Sequence, residues 1–341
     1  MIKIVVDGFG GDGSPDIVVK GAIKATKKLS DLHIVITGKE DVLLNLLKEN
    51  GYDSNRFTIV DAPDVIEVNA PPTVEFKKKP DSSMVRAFDI LRKEEDVAGL
   101  VSAGSSGAVL TGGVFKLGRI RGVSRPAFAP VFPTAGGKMV VLCDSGANAE
   151  CKPINIAHFA VMASQYFKTI SKEENPRVAL LNIGVEEEKG NTQYKEFHEY
   201  LKKVKDINFI GNIEGFDIMD DKCDVVVCDG FAGNIALKSA EGAIKFMNTR
   251  LKKEIKSSFW AKIGAVTFMK GALTSLKKNL KKYVDKGAVV LGCKKILVKA
   301  HGNSNENVFC DAILQTAELA SAGLCEKIAH EFETYEFPDA E

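Results

Sequence analysis

Three polar side chains stand where strand-like runs end, and each is of a type that handles anions or protons. Lys189 lies just before Gly190-Asn191, at the expected start of a helix. A cation in that place can hold a phosphate or polarise a carbonyl. His301, in Lys299-Ala300-His301-Gly302, can donate to a phosphate or move a proton, although a lone His more often serves structure. Asn234 ends the turn Asp229-Gly230-Phe231-Ala232-Gly233-Asn234, and Asn148 ends the similar turn Asp144-Ser145-Gly146-Ala147-Asn148. Asp and Asn stabilise such turns without any ligand. Cys143 and Cys228 also sit at strand ends; no basic partner stands beside either, so both read as packing.

These residues need elements that bring them together. Six apolar runs of strand length supply them: Ile2 to Val6, Val97 to Val101, Met139 to Cys143, Val178 to Leu181, Val225 to Cys228 and Ile296 to Val298. Rich in Val and Ile and apolar on both faces, they read as buried parallel strands. Each stops at a small polar turn, the remaining turns being Asp7-Gly8-Phe9-Gly10-Gly11-Asp12, Ser102-Ala103-Gly104-Ser105-Ser106-Gly107 and Asn182-Ile183-Gly184. In parallel sheets ligands bind beyond the carboxyl ends of the strands. Six such turns on one sheet edge would offer many backbone N–H groups to a small anion or an oxyanion.

Helical stretches separate the strands. Ser14-Pro15 opens one that runs to about Leu29, and others are expected at Asp41 to Glu49, Ser82 to Glu94 and Gly107 to Gly118. Pro153 opens a helix to about Lys168; Thr192 to Lys203, a long helix from Ala232, and Glu306 to Phe332 follow. Residues 62–83, with four Pro, read as a long surface loop. Strand–helix alternation throughout argues for a single α/β unit over 1–341, a doubly wound α/β/α sandwich. Gly8-x-Gly10-x-x-Gly13 fits the dinucleotide fingerprint in letters only. The helix starts after the glycines, and Gly38-Lys39 stand where a ribose-binding acid belongs.

Composition bounds the rest. Hydrophobic content of 45% and charged content of 27% suit a globular protein, and no apolar stretch approaches the roughly 18 residues of a spanning helix. Seven Cys without a C-x-x-C pair point to reduced thiols in a cytosolic protein, and Ile2 already begins a strand, so no signal peptide is expected. The net charge of +1 is unevenly spread. Residues 250–282 hold ten Lys or Arg and one acid, Glu254, giving that segment +9 and the rest −8. Within it Ile255, Phe259, Trp260, Ile263 and Val266 recur at helical spacing, and Leu273, Leu276 and Leu280 repeat the pattern. This is an interfacial amphipathic helix pair, or a helical hairpin with its stripe in a dimer interface. No nucleic-acid motif accompanies the charge.

In order along the chain, Asp7-Gly8-Phe9-Gly10-Gly11-Asp12, Ser102-Ala103-Gly104 with Gly107-Ala108, Lys116-Leu117-Gly118-Arg119-Ile120, Arg125-Pro126-Ala127, Gly146-Ala147-Asn148, Leu180-Leu181-Asn182-Ile183-Gly184, Lys189-Gly190-Asn191, Phe209-Ile210-Gly211-Asn212, Asp229-Gly230-Phe231 with Gly233-Asn234, and Lys299-Ala300-His301-Gly302 resemble the phosphate acyltransferases of the PlsX type. Two departures are Gly8-Phe9 for the family's Ala-Met and Lys286-Gly287-Ala288 for its Gly-Gly-Ala. The resemblance implies a Rossmann-like sandwich related to phosphotransacetylases and isopropylmalate-type dehydrogenases, with a protruding helical hairpin. It implies transfer of a long-chain acyl group from acyl carrier protein to inorganic phosphate, giving acyl phosphate for phospholipid synthesis. Lys189 and Asn234 are carried over as catalytic. Phosphate and substrate contacts are expected at Asp7, Gly10, Gly11, Ser102, Gly104, Gly107, Asn148, Asn191, Asp229, Gly233 and His301, and membrane contacts at Phe259, Trp260 and Ile263. No metal or cofactor is expected. The expected partners are the carrier protein, a second copy of the chain, an anionic membrane surface and a membrane-bound glycerol-phosphate acyltransferase; the expected place is the cytoplasm, at the inner face of the membrane. The rivals are an NAD-dependent dehydrogenase of related fold and a non-catalytic, membrane-associated binder of acyl carrier protein.

Overall fold

The computed structural model describes residues 1–13, 15–67, 71–272, 274–275, 286–335 and 337–338. The capping expected of Ser14, and the second basic helix expected around Leu273, Leu276 and Leu280, lie outside them. In chain order the elements are β1 (Ile2–Asp7), α1 (Asp16–Lys28), β2 (Leu32–Gly38), α2 (Glu40–Glu49), β3 (Phe57–Asp61), α3 (Pro72–Lys78), α4 (Ser83–Lys93), β4 (Val97–Ser102), α5 (Ser106–Gly112), β5 (Ala127–Ala129), β6 (Val131–Pro133), β7 (Met139–Cys143), α6 (Pro153–Ser171), β8 (Arg177–Asn182), α7 (Thr192–Lys203), β9 (Asn208–Glu214), β10 (Val225–Val227), α8 (Gly230–Ser257), α9 (Phe259–Thr267), β11 (Ala288–Leu291), β12 (Ile296–Lys299), α10 (Glu306–Ser321) and α11 (Leu324–Thr334).

The expected single sheet edge is corrected by the structure, which has two sheets. One runs β3-β2-β1-β4-β12-β11-β5 and the other β6-β7-β10-β8-β9. The strands carrying the six turns divide evenly: β1, β4 and β12 in the first, β7, β8 and β10 in the second. Each of these six has a parallel partner, while β11 runs antiparallel to β12 and β5, and β6 antiparallel to β7. Alternation along β1 divides the core of the first sheet. Ile4 and Val6 face α1 and α10, whereas Val5 packs with Phe88 and Leu91 of α4. Helices therefore cover both faces, as in a doubly wound sandwich.

Pro130 alone separates β5 from β6, so one extended stretch passes from the first sheet into the second. Polar and backbone bonds stitch this crossing. The amide of Ser145 donates to the Phe128 carbonyl at 3.1 Å, that of Leu142 to the Pro130 carbonyl at 3.1 Å, and that of Phe128 to Asp144 Oδ1 at 2.9 Å.

Two local expectations change, and two strands are added to those expected. The 62–83 loop contains α3, because Pro72 occupies a first-turn position where its missing N–H costs nothing. The long C-terminal helix breaks between α10 and α11 at Gly323, whose φ of +66° is left-handed. Strand β9 was hidden by its half-exposed, polar-interrupted sequence, with Gly211 and Asn212 inside it. Strand β11 was hidden by its four-residue length.

Candidate active site

Four of the six turns converge on one cavity of about 530 Å³. Ser106 reaches it from beyond β4, Ser145 from beyond β7, Asn234 from the first turn of α8 after β10, and Lys299, His301 and Asn303 from the end of β12. The site thus lies beyond strand carboxyl ends of both sheets, closed on one side by Phe128, Pro130, Val131 and Phe132 at the crossing. Helix α8 forms another wall. Asn234, Leu237, Lys238, Glu241, Ile244, Lys245, Asn248 and Lys252 recur at three- and four-residue intervals, so one helix face lines the cavity for five turns.

The cavity combines apolar wall residues with uncharged polar groups, and its charged positions are mostly cationic. Lys238, Lys245, Lys252, Lys286 and Lys299 line it, against Glu241 as the lining acid. That acid is already engaged: Oε1 lies 3.0 Å from His301 Nε2, and Oε2 accepts from Lys238 Nζ at 2.8 Å. The hydrogen bond to His301 first, and the bond to Lys238 after it, hold the Glu241 carboxyl down at about 2. The Lys299 ammonium moves the other way. Burial, with Lys238 nearby, lowers it to about 8. Sequence reasoning passed over Lys299; the signal was a Lys ending an otherwise apolar strand, Ile296-Leu297-Val298-Lys299.

Other expected site residues hold the turns in shape behind this cavity. Asp7 is fully buried and accepts from Ser83 Oγ at 2.6 Å and Ser102 Oγ at 2.7 Å, while Ser102 Oγ also accepts from the Gly104 amide at 3.0 Å. Burial raises the Asp7 carboxyl. Gly10 completes the cluster, since a Cβ there would lie 2.4 Å from Asp7 Oδ2 and 2.7 Å from the Gly104 nitrogen. The first turn in turn supports the last: the Asp12 amide donates to the Gly302 carbonyl at 2.9 Å. Gly11 lies in the same turn, and Gly107 in the first turn of α5, where a Cβ would meet Pro72 at 3.1 Å.

In the second sheet Asp144 gathers donors from Phe128, Ala147 and Asn148, including Asn148 Nδ2 at 2.9 Å; Asn148 Nδ2 also donates to the Pro126 carbonyl at 2.8 Å. Gly230 and Gly233 press against this knot. A Cβ on Gly233 would lie 1.9 Å from the Asp144 carbonyl oxygen. Asp229 caps α8 by accepting from the Ala232 amide and also accepts from Tyr194 Oη at 2.8 Å. Asn191 caps α7 through the Tyr194 amide at 2.9 Å. Asp229 and Asn191 are thereby linked through Tyr194. Cys143 and Cys228 are fully buried and burial pushes both thiols well up, in line with packing.

Lys189 stands apart from the cavity lining. Its loop is fixed by the Asn182 Nδ2 bond to the Lys189 carbonyl at 3.1 Å and by the Asn212 Nδ2 bond to the Glu186 carbonyl at 2.7 Å. Its side chain is exposed, with Nζ 4.0 Å from Glu186. Among the described residues one group, Glu187, His198 and Glu199, has the closeness of a metal site. Lys202 already serves it, 2.8 Å from Glu187 and 3.7 Å from Glu199. On α9, Phe259 and Trp260 are 69% and 76% exposed and stack edge to face at 5.7 Å, with Ile263 beside them partly exposed. Nothing is described of the side chains of Lys262 and Val266.

The sequence matches the family model described as fatty acid synthesis protein over residues 2–327. It is 44% identical over 330 residues to the phosphate acyltransferase of Clostridium perfringens (strain SM101 / Type A), covering 97% of this chain and 96% of that one. It is 44% identical over 332 residues to the phosphate acyltransferase of Clostridium novyi (strain NT), covering 97% and 99%. The fold is similar to that of a phosphotransacetylase from Streptococcus pyogenes, with a TM-score of 0.62, 18% identity and 94% of each chain covered. That similarity supports the Rossmann-like α/β class. An apolar cavity lined by cations, at the ends of parallel strands, thus sits in a chain that belongs to the phosphate acyltransferase family of the PlsX type and is an acyltransferase.

Proposed function

We propose that this enzyme transfers a long-chain fatty acyl group from acyl carrier protein to inorganic phosphate, releasing acyl phosphate for phospholipid synthesis. The observation that carries the reading is the cavity, which pairs an apolar wall with Asn234 and five lysines. An acyl chain lies along Phe128, Phe132, Leu237 and Ile244, and the anion takes the basic end. A phosphate oxygen attacks the thioester carbonyl; the new C–O bond forms, the C–S bond breaks, and the carrier leaves as a thiolate. The proton of hydrogen phosphate ends on that sulfur. A thiol pKa of about 8.5 makes this an easy departure. Asn234 and backbone N–H groups hold the oxyanion, and Lys189 swings from Glu186 to the attacking anion.

Lys77 and Lys78 are exposed on α3, which packs on α5 beside Ser106, and they are candidates for meeting the acidic carrier. The bare apolar stripe of α9 serves the membrane surface and a second copy of the chain, which places the product near a membrane-bound glycerol-phosphate acyltransferase at the inner face of the membrane. The test is incubation of the purified protein with long-chain acyl carrier protein and labelled phosphate, with acyl phosphate detected directly. Asn234→Ala and Lys189→Ala are expected to keep the circular-dichroism spectrum and to lose turnover by about 100-fold or more, as for one oxyanion donor elsewhere. Near wild-type turnover in both variants would remove their assignment.

A further inference from the structure

Lys299 is the one cavity lysine that ends a core strand, after the buried residues Ile296, Leu297 and Val298. Its ammonium donates to the carbonyl of its own neighbour, Ala300. Among the described residues no carboxylate forms an ion pair with it. The charged groups that act on it are Lys238 from α8, which lowers it along with desolvation, and Asp12 from the turn after β1, whose opposing effect is the smallest of the three. Glu241, the lining acid, is spent on His301 and Lys238. A desolvated ammonium with donors to spare and no carboxylate in contact with it is a site prepared for an anion. Asn234, Ser106 and Ser145 bring amide and hydroxyl groups to the same cavity from three other turns.

We propose that Lys299 binds the inorganic phosphate in the cavity, supplying from the first sheet the cation that faces Asn234 of the second. This rests on the acyl-transfer reading above. It deepens that reading by giving the anion one named lysine of the five that line the cavity, whereas Lys189 lies outside the lining. A small oxyanion fits better than a carboxylate of the carrier protein, because the ammonium lies in the wall of the cavity and not on the outer surface. Bound phosphate would restore the proton affinity that burial removes, so phosphate should bind best where Lys299 is protonated. In the free enzyme that is below about pH 8.

The experiment is calorimetric titration of inorganic phosphate into wild type, Lys299→Met and Lys299→Arg, with steady-state kinetics against phosphate between about pH 7 and about pH 9.5. We expect Lys299→Met to raise the KM for phosphate about tenfold or more, with kcat changed less, and to weaken calorimetric binding in step. Lys299→Arg should recover most of it. Wild-type affinity for phosphate should fall above about pH 8, and Lys299→Met should lack that fall. An unchanged KM in Lys299→Met, or a wild-type affinity flat across that pH range, would overturn the inference while leaving acyl transfer standing. Lys299-dependent phosphate binding in a protein that makes no acyl phosphate would support the site and sink the acyl-transfer reading.

Discussion

Single residues here carry opposed electrostatic tasks. Lys299 is charged at a cost. Its folded pKa of about 8 lies below the usual value near 10.5, so the penalty is complete below pH 8 and fades as pH rises toward 10.5. Lys299→Met should therefore melt a few degrees above wild type at pH 7, and the gap should narrow in scans at rising pH. Glu241 has the reverse sign. Its pKa is held at about 2, so its stabilising effect is complete above the usual carboxylate range and is lost as pH falls through about 2. Glu241→Gln should lower stability by about 1 kcal/mol at neutral pH, a modest figure because both partners are part-exposed, and by almost nothing near pH 2. Acid-denaturation curves of the two proteins would show it. The departure Gly8-Phe9 also has a physical account. A Cβ at residue 8 would stand 2.5 Å from the Thr37 carbonyl oxygen, and the Phe9 ring fills the space beside Gly38, at 2.3 Å from where a Cβ there would be.

At the scale of elements, the strand-to-helix turns depend on glycines that permit contact. Gly233→Ala drives a methyl into the Asp144 carbonyl and should cost about 3 kcal/mol. Gly242→Ala, on the same helix with nothing within 4 Å, should instead gain about 0.5 to 1 kcal/mol from helix propensity. Urea midpoints of the pair separate close packing from propensity. The same turns explain what was legible. All six buried strands could be read because Val and Ile runs on two covered faces leave a strong pattern, and α7 could be placed closely because Asn191 is an N-cap residue at its start. Sheet membership could not be read, since β1 and β7 look alike as strings and only hydrogen-bond partners assign them. The α8 wall was equally hidden. Its cavity-facing positions mix Asn, Leu, Lys and Glu, and no apolar stripe announces them.

At the scale of the whole molecule, α8 and α9 carry large exposed apolar side chains, among them Phe246, Met247, Phe259 and Trp260, and Phe268 just beyond α9 is exposed too. No single described helix is long and apolar enough to cross a membrane. The proposed attachment to anionic lipid, resting on a segment charge of +9, predicts binding to anionic vesicles that weakens as salt rises, at about 1 kcal/mol per lysine near the surface. Replacing Trp260 and Ile263 together by Glu should release the protein from anionic vesicles in sedimentation. Unchanged sedimentation, with a loss of dimer in ultracentrifugation, would assign the stripe to the second copy instead. The Pro130 crossing sets how such a molecule can breathe. Along the Phe128–Pro133 seam the two sheets share covalent chain and the bonds of Asp144, Ser145 and Leu142, whereas across the cavity the Glu241–His301 pair joins them through side chains. The cavity thus has one side laced by backbone bonds and another closed by side chains alone, and the α8 side is where an entering acyl chain would meet the weaker closure. Amide exchange should accordingly stay slow at Leu142 and Ser145 while the α8 face is opening.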